Sequence, residues 1–320
     1  MKSVTQLAAS VIVPVWNIKG RRDLENLLAA LGRQTLARER FEILIGDDGS
    51  TDGSTDGLET ADGWVRVLAG PRRSSYAARN RAAAAARAPI LAFCDADCLP
   101  EPDWLEAGIS FVESAERETL AAGRIRFVVA ERPTVWTLVD MDSTKDHRRQ
   151  VEIGNAETAN LFVHRAFFEE LGGFDDSLPG HGDFDFALRA VAAGASLEYA
   201  PEAVVWHPTR DSAKPFLKNF WSMHHSYALR EVRAGRRPLG LKVRWWLPPL
   251  HVRWRRRSGR SLGLDRWWLD QNGVTPRIRD NARAVPIIYL VMPLLGGIAQ
   301  VRGWWDGRRL RATTRGGGLG

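Results

Sequence analysis

Two aspartates, Asp95 and Asp97, stand one residue apart at the end of an apolar run that begins at residue 90. The run Ile-Leu-Ala-Phe is typical of a buried strand, so both carboxylates emerge where that strand ends. On extended backbone, side chains two residues apart point to the same side. Hard divalent cations such as Mg²⁺ and Mn²⁺ bind oxygen ligands, often one or two carboxylates together with substrate phosphates. The spacing indicates a metal–phosphate site, although a polar loop after a strand could carry the same residues.

Three further polar groups stand at the ends of predicted elements. The pair Asp47-Asp48 follows an apolar run at residues 41–46, His207 follows a late apolar run, and Asp183 opens a helical pattern. In open α/β sheets, ligands bind beyond the carboxyl ends of the strands. We therefore expect these groups to converge with the first pair.

The elements that would position these groups alternate along the first part of the chain. Continuous apolar runs predict buried strands, and leucine or alanine at helical spacing predicts helices. This alternation predicts an α/β fold with a doubly wound, mainly parallel sheet. The predicted strands are residues 8–15, 41–46, 65–68 and 90–93, and the predicted helices are 22–34 and 75–88.

The second part of the pattern is less regular. Residues 131–150 show no clear period and are expected to form a loop with partial helix. The pair Gly172-Gly173 ends one short predicted helix, and Gly194 ends another. The predicted strands are residues 125–129, 161–163, 197–199 and 203–206, and the predicted helices are 165–171, 183–193 and 211–235.

The charge of the chain is divided unevenly. From residue 209 onward there are 23 Lys and Arg against 6 Asp and Glu, whereas the first 208 residues carry 22 against 32. Eight of the 13 tryptophans also lie in the basic part. A surface rich in Arg and Trp suits an anionic membrane, and it suits nucleic acid less specifically. We expect contact with a membrane surface and no nucleic-acid partner.

The cysteines and the first residues bear on the compartment. Cys94 and Cys98 lack the second pair of a zinc site or a disulfide framework, so we expect buried free thiols and a reducing compartment. The first six residues show no apolar region followed by a cleavage site. The expected location is the cytoplasm, at the inner face of the cell membrane.

One uncharged stretch, residues 284–301, could contact that membrane. A helix of this length would span ~27 Å, which is marginal for a bilayer core. The stretch contains two prolines and two glycines, which would interrupt a regular helix. A membrane-associated segment and a buried core element both remain open.

Seven short segments hold the candidate residues and their neighbours: Val-Ile-Val-Pro-Val-Trp-Asn (11–17), Ile-Gly-Asp-Asp-Gly-Ser-Thr-Asp-Gly-Ser (45–54), Ala-Arg-Asn (78–80), Phe-Cys-Asp-Ala-Asp (93–97), Gly-Gly-Phe-Asp (172–175), Gly-Asp-Phe-Asp-Phe-Ala-Leu-Arg (182–189) and Val-Trp-His (205–207). In this order and at these spacings, they resemble the inverting glycosyltransferases of family 2, which have the GT-A fold. The resemblance covers roughly residues 8–235. Each segment alone is a weak signal, but the combination is specific.

The resemblance implies a nucleotide-sugar site on the first part of the chain. It implies that Asp48 accepts a hydrogen bond from the nucleobase, and that Asp95 binds the ribose, directly or through the metal. For Asp47, turn chemistry is an alternative role. Other residues implied to bind the nucleotide sugar are Pro14, Trp16, Asp47 and Arg79.

The resemblance also implies a divalent ion, Mn²⁺ or Mg²⁺, that Asp97 ligates and that His207 completes. The ion would bridge the diphosphate and neutralise charge as the sugar leaves. Asp183 matches the general base that removes the proton of the acceptor hydroxyl during inversion. Family members usually have Glu before this aspartate, and here Gly182 stands in its place.

These matches predict an organisation for the whole chain. Residues 1–235 would form the GT-A domain, with a nucleotide-sugar part at 1–118 and an acceptor part at 119–235. Residues 236–320 would form a basic, Trp-rich helical extension that associates with the membrane.

The predicted activity is metal-dependent transfer of one sugar from a UDP- or GDP-sugar to a hydroxyl acceptor, lipid-linked or saccharide, in cell-envelope, glycolipid or polysaccharide biosynthesis. The chain lacks the Gln-x-x-Arg-Trp motif of processive members. Two alternatives are a nucleotidyltransferase on a similar sheet and a non-catalytic membrane-binding protein. The loop after the first strand is poor in glycine, which disfavours the nucleotidyltransferase.

Overall fold

The computed structural model describes residues 6–20, 22–143, 146–238, 269, 274 and 278–316 of the 320-residue chain. These residues divide into two compact units. The first is drawn from residues 1–128, 145–177 and 182–208, and the second from 129–144, 178–181 and 209–320. The predicted division at residue 235 stays a prediction. Much of the basic, Trp-rich stretch predicted to contact the membrane, residues 239–268, lies outside the described residues.

The first unit is built on one eight-stranded sheet with the order β3-β2-β1-β4-β7-β6-β8-β5. Strands β3, β2, β1 and β4 are mutually parallel, as is the β6–β8 pair, whereas β7 and β5 pair antiparallel to their neighbours. The predicted α/β class with a mainly parallel sheet is confirmed. The strands are β1 (Ala9–Val15), β2 (Phe41–Asp47), β3 (Val65–Ala69), β4 (Ile90–Cys94), β5 (Leu99–Pro100), β6 (Thr119–Val128), β7 (Asn160–His164) and β8 (Ser196–Pro208).

Both faces of the sheet are buried, which explains the continuous apolar runs of its central strands. On β1, Val11 and Val13 belong to one core cluster, and Ile12 between them belongs to another. Helices cover the two faces. They are α1 (Asp23–Leu31), α2 (Ser75–Ala84), α3 (Trp104–Glu113), α5 (His147–Glu152), α6 (Arg165–Glu170) and α7 (Gly182–Ala192).

Helix α2 packs closely on β2 because both elements present small residues. A Cβ atom built on Gly46 would lie 2.3 Å from the carbonyl oxygen of Ala78, so only glycine fits there. The helix begins at the capping residue Ser74, whose Oγ accepts a hydrogen bond from the backbone N–H of Ala77 at 3.1 Å. This packing fixes the helix that carries Tyr76 and Arg79.

The second unit is helical in its described part. It contains α4 (Val135–Ser143), α8 (Ala213–Arg233), α9 (Ile278–Pro286), a π-helical segment (Ile287–Val291) and α10 (Met292–Gly316). The predicted apolar stretch 284–301 therefore spans the end of α9, the π segment and the start of α10. Among the described residues, no helix has the length and apolar character needed to cross a bilayer.

Two local predictions differ from the structure. Residues 131–150, expected to form a loop with partial helix, contain more helix than expected: all of α4 and the beginning of α5. The two short strands expected at 197–199 and 203–206 are one strand, β8, with a register shift: Gly123 of β6 pairs with Ala200, and Arg124 pairs with Val204. The extra residues on β8 form an irregularity that the sequence pattern shows as a gap.

Candidate active site

The predicted site lies at the carboxyl ends of neighbouring parallel strands. Strands β2 and β3 are added on one side of β1, and β4 is added on its other side. The boundary between β1 and β4 is therefore the topological switch point, where open α/β sheets bind ligands. Trp16 follows β1, Asp47 ends β2, and Asp95 follows β4. Pro14, near the end of β1, pairs in register with Gly46. The sheet thus brings the predicted donor-side residues to one edge.

The Asp47 carboxylate organises the loop after β2. Its Oδ1 accepts a hydrogen bond from the backbone N–H of Ser50 at 2.8 Å, and its Oδ2 accepts one from the Thr55 hydroxyl at 2.9 Å. The side chain is buried. These contacts fit the turn role considered for Asp47, and its contact with a nucleotide stays a prediction.

Asp48, Arg72 and Trp16 form one group of contacts, here named the Trp16 cluster. The Oδ2 atom of Asp48 lies 3.2 Å from Nε of Arg72, and its Oδ1 accepts a hydrogen bond from the backbone N–H of Arg73 at 2.8 Å. The Arg72 guanidinium lies 3.2 Å from the centroid of the Trp16 ring, which is 43% exposed. Arg72 therefore links Asp48, predicted to bind the base, with Trp16, predicted to bind the nucleotide sugar, and the sequence analysis did not identify it.

The loop after β1 is joined to the loop after β2 by side-chain hydrogen bonds. The backbone N–H of Asn17 donates to the Ser50 hydroxyl at 3.0 Å, and Asn17 Oδ1 accepts from the backbone N–H of Thr51 at 2.9 Å. Asn17 adopts a positive φ of 45°, which Asn tolerates better than most residues. These bonds hold the Trp16 side of the site against the Asp48 side.

Arg79 and Asp95 form an ion pair at the end of β4. Arg79 is buried on α2, and its Nε finds no hydrogen-bond partner among the residues that the structure describes. On the other side, Asp95 Oδ2 lies 4.0 Å from Nε2 of His207. Within the described part of the chain, the Nε–H group of Arg79 thus stays unpaired beside Asp95, and its contact with the nucleotide stays a prediction.

His207, near the end of β8, directs its second ring nitrogen toward Asp97. Its Nδ1 lies 2.6 Å from the carbonyl oxygen of Pro208. A carbonyl only accepts hydrogen bonds, so Nδ1 carries the proton and the neutral ring bears its lone pair on Nε2. That Nε2 lies 3.6 Å from Oδ1 of Asp97. The structure brings the two predicted metal ligands together, and a proton on Nδ1 leaves Nε2 of the neutral ring available to a metal ion; ligation itself stays a prediction.

Cys98 lies in the same group, since possible ligand atoms of Asp97, Cys98 and His207 all lie within 4.8 Å of one another. Its Sγ donates to the carbonyl oxygen of Ala159 at 3.7 Å. Burial and the neighbouring Cys94 raise the pKa of the Cys98 thiol well above its usual range. A neutral, soft thiol is a poor ligand for a hard cation, so the oxygen of Asp97 and the nitrogen of His207 are the better donors. Both cysteines are buried and free, as predicted.

Asp183, at the start of α7, is the predicted base. Its Oδ1 accepts hydrogen bonds from the Tyr76 hydroxyl at 3.1 Å and from the backbone N–H of Phe184 at 2.9 Å, and Oδ2 accepts one from Thr158 N at 3.3 Å. Burial raises the pKa of the Asp183 carboxyl, and the nearby charge of Glu157 adds to this effect. A carboxyl group with a raised pKa is better suited to accept a proton near neutral pH.

Comparison with known proteins identifies the family. The sequence model described as Glycosyl transferase family 2 matches residues 10–172, which is half of the chain. The chain belongs to this family. The resemblance inferred from the sequence motifs is therefore confirmed, and the protein is a glycosyltransferase. Membership favours sugar transfer over the nucleotidyltransferase alternative.

Similarity to individual relatives extends beyond that range. Glycosyltransferase AglE of Haloferax volcanii is 32% identical over 216 residues, covering 66% of this chain and 70% of the relative. Validoxylamine A glucosyltransferase of Streptomyces hygroscopicus subsp. limoneus is 28% identical over 235 residues, covering 61% of this chain. The match spans only 50% of that second protein's own length.

Solved structures show the same fold at low sequence identity. Mannosyltransferase PcManGT from Pyrobaculum calidifontis, in complex with GDP-Man and Mn²⁺, superposes with a TM-score of 0.59 at 18% identity, covering 94% of this chain and 88% of that one. GalNAc-T7 with UDP, GalNAc and Mn²⁺ superposes with a TM-score of 0.51 at 18% identity, covering 85% of this chain and 57% of that one. These similarities confirm the GT-A fold.

Proposed function

We propose that this protein transfers a single sugar from a nucleoside-diphosphate sugar to a hydroxyl acceptor, with the help of a divalent metal ion and with inversion at the anomeric carbon. The observation that carries the proposal is the pair Asp97 and His207, placed beside the ion pair Asp95–Arg79 at the switch point of the sheet. The named relatives and the fold neighbours solved with GDP-Man or UDP support a nucleotide-sugar donor.

On the donor side, each residue has a role that follows from its position. Trp16 offers an exposed aromatic face, and Asp48 offers a carboxylate acceptor to a base N–H group. Arg79 directs a buried guanidinium toward the diphosphate, and Asp95 orients that guanidinium while facing the ribose. A UDP- or GDP-sugar is the proposed donor.

Asp97 and His207 would hold the divalent ion, which when bound offsets the negative charge of the leaving diphosphate. The donor set is one carboxylate oxygen and one imidazole nitrogen, with Asp95 close by. Such ligands suit Mn²⁺, and the two fold neighbours were solved with that ion. Mn²⁺ is therefore the ion to test first, with Mg²⁺ second.

On the acceptor side, Asp183 is the proposed general base. It would take the proton of the acceptor hydroxyl while the oxygen forms a bond to the anomeric carbon, and the bond from that carbon to the diphosphate breaks on the opposite face. The diphosphate leaves with the electron pair of that bond.

The acceptor is proposed to lie at a membrane surface, because the second unit exposes an apolar stripe on consecutive turns. Its members, here named the α10 stripe, are Leu290 near the end of the π segment and three residues of α10, spaced four and seven residues apart, which lie on one face of that helix. Arg302 falls between Ile298 and Trp305 in the sequence and pairs with Asp306 at 3.0 Å, and the Arg309 guanidinium lies 5.9 Å from the Trp305 ring centroid. The stripe consists of Leu290, Leu294, Ile298 and Trp305, which are 45–58% exposed.

An apolar face with Trp and Arg at its border suits an anionic bilayer interface. A lipid-linked acceptor in cell-envelope or glycolipid biosynthesis, reached from the cytoplasmic face, follows from this proposal. The apolar stretch predicted from the sequence would then lie in the plane of the interface.

A thermal-shift panel tests the donor assignment. Ligands that bind only the folded state stabilise it by about 2.7 kcal/mol at 100 times Kd. We expect UDP or GDP, or one of their sugars, to raise the melting temperature in the presence of Mn²⁺ and to have little effect with EDTA. The Asp97→Asn variant should lose the Mn²⁺-dependent part of the shift. A panel in which neither nucleotide shifts the wild-type transition would contradict the proposal.

A further inference from the structure

Gly182, which stands where family members usually have glutamate, lies against an aromatic ring. A Cβ atom built on the buried Gly182 would lie 2.8 Å from Cδ2 and Cε2 of Tyr76 and 2.9 Å from Cγ. These are ring atoms of a side chain that is itself 6% exposed. No side chain at position 182 fits while Tyr76 keeps its place. The position of the Tyr76 ring therefore depends on the absence of a glutamate side chain at position 182.

The Tyr76 ring is fixed by its surroundings. Its centroid lies 5.5 Å from that of Phe174, and the Arg79 guanidinium lies 5.6 Å away. Ser74, which caps the helix, donates its hydroxyl hydrogen to the carbonyl of Asp176 at 2.9 Å and so anchors the start of α2. The ring therefore has little freedom to move away from Gly182.

The hydroxyl of Tyr76 is directed at the proposed base. Its oxygen lies 3.1 Å from Oδ1 of Asp183. Burial and the charge of Asp183 raise the pKa of Tyr76 well above its usual range, so the phenol stays protonated and donates. The donor engages Oδ1, while Oδ2 has a longer contact of 3.3 Å with Thr158 N.

We propose that Tyr76 is a positioning residue for the general base: its phenol occupies the space opened by Gly182, holds Oδ1 of Asp183, and leaves Oδ2 to accept the proton of the acceptor hydroxyl. This inference rests on the proposed role of Asp183. It gives a function to the glycine at position 182, where family members usually have glutamate. In this protein the neutral Tyr76 hydroxyl, on another helix, stands beside Asp183 in place of that carboxylate.

The groups that face Asp183 set the expected pH effect. Tyr76 and Arg79 approach from α2, and Glu157 and Thr158 approach from the segment before β7. The phenol and the guanidinium favour the ionised carboxylate, whereas Glu157 disfavours it. Removing the phenol hydroxyl therefore raises the pKa of Asp183. As the pH falls, the variant's base is then protonated at a higher pH than in wild type. The acidic limb of the pH–rate profile therefore moves to higher pH.

The test compares pH profiles of kcat/KM for the Mn²⁺-supplied full chain and its Tyr76→Phe variant. Phenylalanine keeps the ring against Gly182 and removes only the donor. We expect the acidic limb to shift to higher pH and kcat/KM on that limb to fall by roughly tenfold, with the donor Kd unchanged. Tyr199→Phe, which removes a phenol on β8, serves as the matched control and should leave the profile in place.

Two further variants separate this proposal from the one on which it rests. Asp183→Asn should abolish turnover while retaining donor binding, and full activity in that variant would overturn both proposals. If Asp183→Asn is inactive but Tyr76→Phe has the wild-type acidic limb, the positioning role is overturned and the base assignment stands. Gly182→Ala, which displaces the ring, should shift the limb in the same direction as Tyr76→Phe, and an unshifted limb would contradict the coupling of the two positions.

Discussion

The Nε2 atom of His207 lies 3.6 Å from Oδ1 of Asp97. The Pro208 carbonyl fixes the proton on Nδ1, so in the neutral ring two lone-pair-bearing atoms face each other across this gap. A cation between them turns a repulsive contact into an attractive one. A proton on Nε2 would do the same, so the geometry fits a metal ion without requiring one.

Removing the imidazole should weaken metal binding. We expect His207→Ala to raise the Mn²⁺ concentration for half-maximal activity by at least about tenfold, because one of two protein ligands is lost. A Mn²⁺ titration of activity measures this. His164→Ala is the matched control, since His164 pairs with Glu118 at 2.9 Å near the amino end of β4 and should leave the titration unchanged. Equal midpoints for wild type and His207→Ala would exclude the imidazole as a ligand.

The Trp16 cluster should set affinity for the nucleotide. Arg72→Ala removes the cation over the Trp16 ring and the ion-pair partner of Asp48. We expect nucleotide Kd to rise about 3- to 30-fold, with the metal midpoint unchanged. Calorimetric titration with UDP and GDP measures the change. Arg38→Ala removes a comparable cation, 4.4 Å from the Trp64 ring, and provides the control. A Kd that changes equally in both variants would show a general charge effect and contradict the assignment.

The close packing of α2 on β2 makes a prediction about stability. Gly46→Ala places a methyl group 2.3 Å from the Ala78 carbonyl oxygen, so helix and strand must separate. We expect the free energy of unfolding to fall by about 1–3 kcal/mol. Urea denaturation measures this. Gly32→Ala is the control because its added Cβ would meet ordinary contacts of 3.5 and 3.6 Å at a φ of −66°. Equal stability in the two variants would contradict the close packing.

The α10 stripe predicts binding to anionic membranes. Replacing Leu290, Leu294 and Ile298 together by aspartate should reduce co-sedimentation with phosphatidylglycerol-containing vesicles by at least about tenfold. The change removes apolar area from the stripe and adds negative charges that anionic lipid repels. A control variant carries aspartate at three exposed apolar positions of the first unit, Ile153, Leu188 and Val191. If the two variants sediment with vesicles as wild type does, the stripe is not a membrane contact.

The donor side of the site was predictable from sequence because of how its strands are buried. Strands β1, β2 and β4 are covered on both faces, so each reads as a continuous apolar run that ends abruptly in polar residues. The positions where the apolar runs stop identify Asp47, Asp48, Asp95 and Asp97 as residues at strand ends. Because the strands are parallel, their carboxyl ends lie at the same edge of the sheet.

Helix α4 was not predictable because its buried face is partly polar. Thr137, Asp140 and Asp142 are all buried, and Asp140 is paired with Arg210 at 2.9 Å. Such residues are stabilised by tertiary partners, so they do not show the apolar period on which a helix prediction depends. The same limit applies to Tyr76, whose contact with Asp183 joins residues 107 positions apart. Local spacing carries no signal for a contact of that range.

Donor turnover tests the central claim most directly when it is measured for wild type, Asp97→Ala, Asp183→Asn and the control Asp103→Asn, each with the cognate nucleotide sugar, Mn²⁺ and acceptor. We predict that Asp97→Ala loses Mn²⁺-dependent donor binding and turnover together. Asp183→Asn should bind donor normally but turn over about 10²- to 10⁴-fold more slowly. Asp103→Asn, an exposed aspartate before α3, should behave as wild type. Equal turnover in all of these proteins would contradict both the metal site and the base.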